Sequence, residues 1–165
     1  MSDRSRDSTQ TQSPATSTPK PTPAGYRPPP SSANVSRNMS RQKRRDTKCE
    51  TEVRKFLHAS GARYRVNFRP LPEYRFSADL GWKSLKLAIF IDGCFWHGCP
   101  KHATIPKSNT EWWRDKIEAN RRRDQRVVQQ LENAGWVAAR FWEHEPSANV
   151  ARTIVALAAA RRNAC

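Results

Sequence analysis

Residues 85–102 read Leu85-Lys86-Leu87-Ala88-Ile89-Phe90-Ile91-Asp92-Gly93-Cys94-Phe95-Trp96-His97-Gly98-Cys99-Pro100-Lys101-His102, and the fold turns on their first seven. Leu85 to Ile91 is a near-continuous apolar run, interrupted by Lys86 alone. Such a run predicts a central strand covered on both faces. It stops at Asp92-Gly93, and the character of the chain changes at once to soft metal ligands, aromatics and histidine.

The pattern extends outward on both sides. Upstream, Thr47-Lys48-Cys49-Glu50 matches a capping box, in which the Thr hydroxyl takes the Glu50 amide and Glu50 reaches back. Val53, Phe56 and Leu57 follow at helical spacing and Gly61 supplies a stop, so a helix is predicted over about 48–60. Tyr64 and Val66 alternate like a strand, and Phe76 to Leu80 is a second short strand candidate after Pro70 and Pro72. Downstream, Ser108-Asn109-Thr110-Glu111 reads as another capping box, opening a long helix to about Asn133 with Gly135 as its C′ residue. Trp136 to Phe141 reads as a strand. Pro146-Ser147 then caps a last helix with Val150, Ile154, Leu157 and Ala158 inward. The order predicts an α/β fold, a single domain in which helices flank a central mixed sheet.

One stripe of the long helix is unusual. At 100° per residue, Trp113, Ile117, Asn120, Asp124, Val127, Val128 and Leu131 share a face. Asn120 and Asp124 therefore interrupt an apolar surface, either anchoring a loop of a site or lying at an exposed groove edge. Left buried without partners, such groups cost about 1–3 kcal/mol each.

Composition narrows the partner. In 165 residues, 30 Lys+Arg stand against 15 Asp+Glu, a formal charge of +15. That excess favours nucleic acid over acidic small molecules. No apolar run approaches the roughly 18 residues of a membrane span, and MSDRSRDSTQ lacks the apolar region of a secretory signal. The four cysteines, Cys49, Cys94, Cys99 and Cys165, are too few and too uneven for a disulfide scaffold. An intracellular, cytoplasmic, nucleoid-associated monomer is expected. Residues 1–34 hold seven of the twelve prolines and read as a disordered tail, with the folded domain over 35–165. Its first part, 35–46, is a basic arm, either a solvated lead-in or a set of phosphate contacts.

The chemistry is concentrated after the central strand. Cys94-x4-Cys99-x2-His102 offers three soft ligands within nine residues, and tetrahedral zinc takes four. His144, in Trp142-Glu143-His144-Glu145, follows the last strand. Strand ends gather on one edge of a sheet, so it is a candidate fourth ligand of a closed structural site. The alternative is two reduced thiols in a tight loop. His97, between the two cysteines, suits deprotonation of a water if it is not an idle loop residue. Asp79, near the end of the preceding strand, and Asp92, at the end of the central one, can hold Mg²⁺ against a phosphate. Either alone also suits a turn. Phe95-Trp96 and Trp112-Trp113 are candidates for stacking on bases or wedging between them, where core packing is the plainer reading.

These residues resemble the very short patch repair (Vsr-type) DNA mismatch endonucleases. The resemblance runs from about Asn38 to Glu145. It rests on Asn38-Met39-Ser40, Asp46-Thr47-Lys48-x-Glu50, Asp79, Ile91 to Pro100, Trp113-x-x-Lys116-Ile117-x-x-Asn120, Arg123-Asp124, Gly135-Trp136 and Trp142 to Glu145. It implies a restriction-endonuclease-like core with structural zinc on Cys94, Cys99, His102 and His144. It also implies Mg²⁺-dependent nicking 5′ of the thymine in a T·G mismatch. By position, Asp79 matches the metal-binding catalytic aspartate, His97 the catalytic histidine and Glu50 the acidic residue of the first helix. The Ile91 backbone carbonyl and Asp92 join Asp79 at the expected magnesium site. Phe95, Trp96 and Trp113 match aromatics that wedge into the duplex. Arg41, Lys43, Arg44, Arg45, Asn120 and Arg123 complete the expected DNA contacts, with a mismatch-repair protein as a candidate partner. The chain departs from the pattern in three places, the first being Cys49, which replaces a frequent proline in the first helix. The usual Leu-Pro-Gly-Arg-Pro-Asp becomes the longer Leu71-Pro72-Glu73-Tyr74-Arg75-Phe76-Ser77-Ala78-Asp79, and Ile91-Asp92 stands where the best-studied members carry Thr-His. Two other readings stay open: a restriction- or defence-associated nuclease of the same fold with no mismatch requirement, and a zinc-stabilised DNA-binding module without activity.

Overall fold

The computed structural model describes residues 26–30, 32–41 and 45–164. The elements run α1 (Ala33–Arg41), α2 (Lys48–Ala59), β1 (Arg65–Phe68), β2 (Ala78–Trp82), β3 (Leu87–Asp92), α3 (Thr110–Asn133), β4 (Val137–Trp142) and α4 (Ser147–Asn163). The sheet order is β1-β2-β3-β4. The first two pairings are antiparallel and β3 pairs β4 in parallel, with α3 as the crossover.

The apolar run is central, as its pattern predicts. Leu87 and Ile89 face one side, with Leu80 and Trp82 of β2, Val53 and Leu57 of α2, and Val150 and Ile154 of α4. Ala88 and Phe90 face the other, with Phe68, Val127 and Leu131 of α3, and Trp136. Burial on both faces of β3 makes the domain three layers: α2 and α4, the sheet, and α3.

β3 and β4 are shifted slightly from expectation, to Leu87–Asp92 and Val137–Trp142, and three further features differ. β2 is Ala78–Trp82 rather than Phe76–Leu80. Its register is set by Leu80↔Ile89 and Trp82↔Leu87, while Phe76 is held by the preceding loop, stacked on Tyr74. The capping box at Ser108 is not formed: Asn109 is the N-cap in a left-handed conformation (φ 56°) with no side-chain cap. Thr110 Oγ1 donates instead to the Pro106 and Lys107 carbonyls. The basic arm is partly helical, because α1 begins at Ala33, inside the expected tail. The expected tail lies mostly outside the described residues, but Tyr26 does not: its carbonyl accepts from Trp112 Nε1 at 2.8 Å.

The Thr47 cap is formed. Thr47 Oγ1 accepts from the Glu50 amide at 3.3 Å. Glu50 reaches back with both oxygens, to the Thr47 hydroxyl (2.9 Å) and the Asp46 amide (3.0 Å).

Candidate active site and metal centre

The sheet order gathers the chemistry on one edge. Antiparallel pairing sets the start of β2 beside the end of β3, and parallel pairing sets the end of β4 on its other side. Asp79, Asp92, the 93–109 loop and His144 all emerge there.

Cys94, Cys99, His102 and His144 each bring one ligand atom to a cluster whose atoms lie within 4.8 Å of one another. His144 Nδ1 is 3.1 Å from Cys94 Sγ and 3.7 Å from Cys99 Sγ; His102 Nδ1 is 4.0 and 3.8 Å from the same sulfurs. A tetrahedral ion with ligand distances of about 2.0–2.3 Å needs edges of roughly 3.4–3.8 Å. The four donors fit one ion, with the thiols buried and the imidazoles exposed. Burial and the facing Cys99 push the Cys94 thiol up to about 11. Burial opposes ionisation of Cys99 too, but the Lys101 and His102 amides draw it below the ordinary thiol range.

His97 is outside this cluster. Its Nδ1 lies 2.5 Å from Asp124 Oδ2 and 3.7 Å from Asp92 Oδ1, and its Nε2 has no partner among the described residues. The loop carrying it is tied to α3: Asn120 Nδ2 donates to the Trp96 carbonyl at 2.8 Å, and Arg121 donates to the Gly98 and His97 carbonyls. Gly98 has φ +64°, and a Cβ there would lie 2.7 Å from Ile117 Cγ2, so only glycine lets the loop approach the helix. The polar pair on the helix stripe therefore anchors the loop. Asn120, expected on DNA, is buried with its amide given to Trp96.

Asp92, expected at a magnesium ion, is also differently placed. Arg140 forks it, with Nε 2.7 Å from Oδ2 and Nη2 2.6 Å from Oδ1. Both oxygens take charged donors, so Asp92 anchors Arg140 rather than offering a free carboxylate. Arg140 also lies 3.3 Å from Asp124 Oδ2 and packs over Phe90. Local sequence pattern does not mark Arg121 and Arg140, because their contacts join segments far apart in the chain. His97, Asp92, Asp124, Arg121 and Arg140 line a cleft of about 610 Å³.

Asp79 Oδ2 accepts the Ile91 amide at 2.7 Å, beyond the last β2–β3 pair, and Oδ1 has no partner among the described residues. Burial pushes its carboxyl up to about 6, against the Ile91 amide; Glu50 and Asp92 add to the rise and Arg140 opposes it. Burial also disfavours ionised Asp124, but His97, Arg140 and Arg123 outweigh it and hold its carboxyl below the usual range.

Phe95, Trp96 and Trp113 form one cluster, with ring centroids 5.1–5.9 Å apart, and Trp112 adds an edge contact to Trp113. Trp113 is buried as its floor and does not project; Phe95 and Trp96 are half-buried above it. Arg41, Arg45 and Arg123 are exposed. Lys43 and Arg44 lie outside the described residues.

The family model for the DNA mismatch endonuclease Vsr matches residues 31–102. Among relatives, the type II nicking enzyme V.NaeI of Lentzea aerocolonigenes is 40% identical over 134 residues, covering 80% of this chain and 81% of that one. The type II nicking enzyme V.HpaIIP of Haemophilus parainfluenzae is 45% identical over 104 residues, covering 61% and 70%. The DNA mismatch endonuclease Vsr of Escherichia coli (strain K12) is 33% identical over 112 residues, covering 67% and 70%. None of the described helices is long and apolar enough to cross a membrane. The loop tied to α3, the Cys/His cluster and the edge carboxylate thus sit on a chain that belongs to the Vsr family of DNA endonucleases.

Proposed function

We propose that the chain is a magnesium-dependent, strand-specific endonuclease that nicks double-stranded DNA 5′ of the thymine in a T·G mismatch. The observation that carries this reading is the His97–Asp124 pair beside Asp79 on one sheet edge. Asp79 would hold Mg²⁺, which would supply positive charge where the phosphate gains negative charge in the transition state. His97 is the general base. Asp124 accepts the Nδ1–H, which fixes the tautomer and leaves Nε2 to take a proton from the attacking water as its oxygen bonds to phosphorus; the phosphorus–ester oxygen bond breaks, and the leaving oxygen takes a proton from solvent to depart as a hydroxyl. Glu50, with both oxygens in the α2 cap, braces the carboxylate side of the site.

Zinc on Cys94, Cys99, His102 and His144 would be structural. It would fix the ends of the loop that presents Phe95 and Trp96, the residues that test how firmly a base pair is stacked. Arg41, Lys43, Arg44, Arg45 and Arg123 contact phosphates, where the +15 charge supports salt-dependent binding to any duplex.

A second reading keeps the chemistry and drops the mismatch requirement. It is favoured by several relatives whose names, type II nicking enzymes, carry no mention of a mismatch. One assay tests both: nicking of matched and T·G duplexes over randomised flanks, with and without Mg²⁺. Nicking confined to T·G duplexes with Mg²⁺ supports the first reading, equal nicking of matched duplexes supports the second, and no nicking overturns both.

A further inference from the structure

The β1–β2 connection, residues 69–77, lies on the same sheet edge as the site. Phe68 pairs with Ala78, and β2 begins one residue before Asp79. The aromatic cluster follows β3 on one flank of Asp79. The 69–77 loop lies on the other, beside the edge strand β1.

This loop is built rather than slack. Pro70 and Leu71 are buried, and the Tyr74 amide donates to the Leu71 carbonyl at 3.1 Å to close a turn. Arg69 Nη2 donates to the Pro72 and Tyr74 carbonyls at 2.9 and 2.7 Å. Phe76 packs against the core and stacks under Tyr74, with centroids 5.7 Å apart and planes 26° apart. Tyr74 is nevertheless 37% exposed, and Arg75 beside it is exposed. A large ring is therefore held on one face by Phe76, with Tyr74 still open to solvent and a cation next to it.

We infer that the 71–77 loop is a second DNA-contacting element, in which Tyr74 stacks on a base or sugar of the flank opposite the Phe95–Trp96 cluster and Arg75 contacts a neighbouring phosphate. The inference rests on the chain acting on duplex DNA. A ring frozen by stacking loses little freedom on binding, so its contact is expressed as affinity. Because it touches a flank and not the reacting phosphate, Tyr74 adds affinity that depends on the presence of that flank.

The test uses the full chain with its metal centre filled. Affinities for T·G duplexes are measured at one salt concentration as either flank is shortened, alongside single-turnover nicking. Tyr74→Ala should weaken binding roughly 5- to 100-fold, the range of one lost stacked base. It should also become indifferent to shortening of one flank, while its nicking rate at saturating enzyme stays near the parent's. Tyr74→Trp should restore affinity, and Arg75→Ala should lower the salt slope by about one contact. Parent-like affinity and flank dependence in Tyr74→Ala overturn the inference, as does a Tyr74→Trp no better than Ala. Should Tyr74→Ala melt lower than the parent, cross-linking of the parent to iododeoxyuridine-substituted duplexes decides. An adduct on Tyr74 supports the contact, and no adduct within 71–77 at any substituted position overturns it. A parent that binds and nicks no duplex overturns the proposed function instead.

Discussion

His97 Nδ1 and Asp124 Oδ2 lie 2.5 Å apart, joining a loop and a helix 27 residues away in the chain. The contact orients the imidazole and joins Arg140 and Arg123 in pairing a carboxylate set on an apolar helix face. His97→Ala should lower the single-turnover nicking rate about 10²–10⁴-fold. Asp124→Asn should lose a comparable factor, and the double variant little more, because the two act as a unit. Metal content should stay at the parent's level; loss of metal in His97→Ala would make His97 a ligand.

Asp79 should destabilise the fold it serves. Its folded carboxyl titrates near 6, above its usual 3.8. Between those values the folded chain holds a proton that the unfolded chain has released. Stability from this group is therefore full below about pH 4 and lost as pH rises through about 6, by about 1–3 kcal/mol. Asp79→Asn should abolish nicking yet raise the melting temperature at pH 7.5 without magnesium, with the gain vanishing near pH 4. An unchanged or lower melting temperature at pH 7.5 would count against this.

The Cys/His cluster should bind one zinc per chain. His144→Ala should weaken that binding and lower the melting temperature, since metal bound only by the folded chain adds to its stability. Metal analysis after dialysis against a chelator checks this; a full complement of tightly held zinc in the variant would remove His144 from the ligand set.

Asn120→Ala should cost about 1–3 kcal/mol of stability, because the Trp96 carbonyl loses its donor at a buried helix face. Asn120→Asp should be no better, as a carboxylate cannot donate to a carbonyl. Denaturant melts of both variants measure it, and parent-like stability in either would mean that the loop is held without this bond.

Phe95→Ala with Trp96→Ala should erase most of the preference for T·G over T·A duplexes while leaving weak, salt-sensitive binding to both. Unstacking costs a few kcal/mol per step and less where pairing is imperfect, so a wedge converts weak pairing into preference. The ratio of the two affinities at one salt concentration is the measurement. A double variant that keeps the parent's ratio would transfer mismatch sensing to hydrogen bonds with the wobble pair.

What was legible in the chain itself was whatever depends on near neighbours. The near-continuous apolar run of Leu85 to Ile91 announced a strand buried on both faces. The Thr47–Glu50 cap and the Gly135 stop bounded helices. The spacing of Cys94, Cys99 and His102 pointed to a loop whose donors could hold a metal, because ligands a few residues apart can converge by local turns. Asn120 and Asp124 were conspicuous as polar residues on an apolar stripe, though their partners could not be named. Tertiary structure decided what depends on which distant segments meet. Asp92 looked like a metal carboxylate until β4 placed Arg140 across both its oxygens. Trp113 looked like a wedge until packing buried it beneath Phe95 and Trp96. Ser108 looked like a cap until Asn109 took a left-handed turn that ends the metal loop. A carboxylate's role depends on which cation reaches it first, and a ring's on which face is left open. Both are settled by contacts between segments tens of residues apart, to which local pattern is blind.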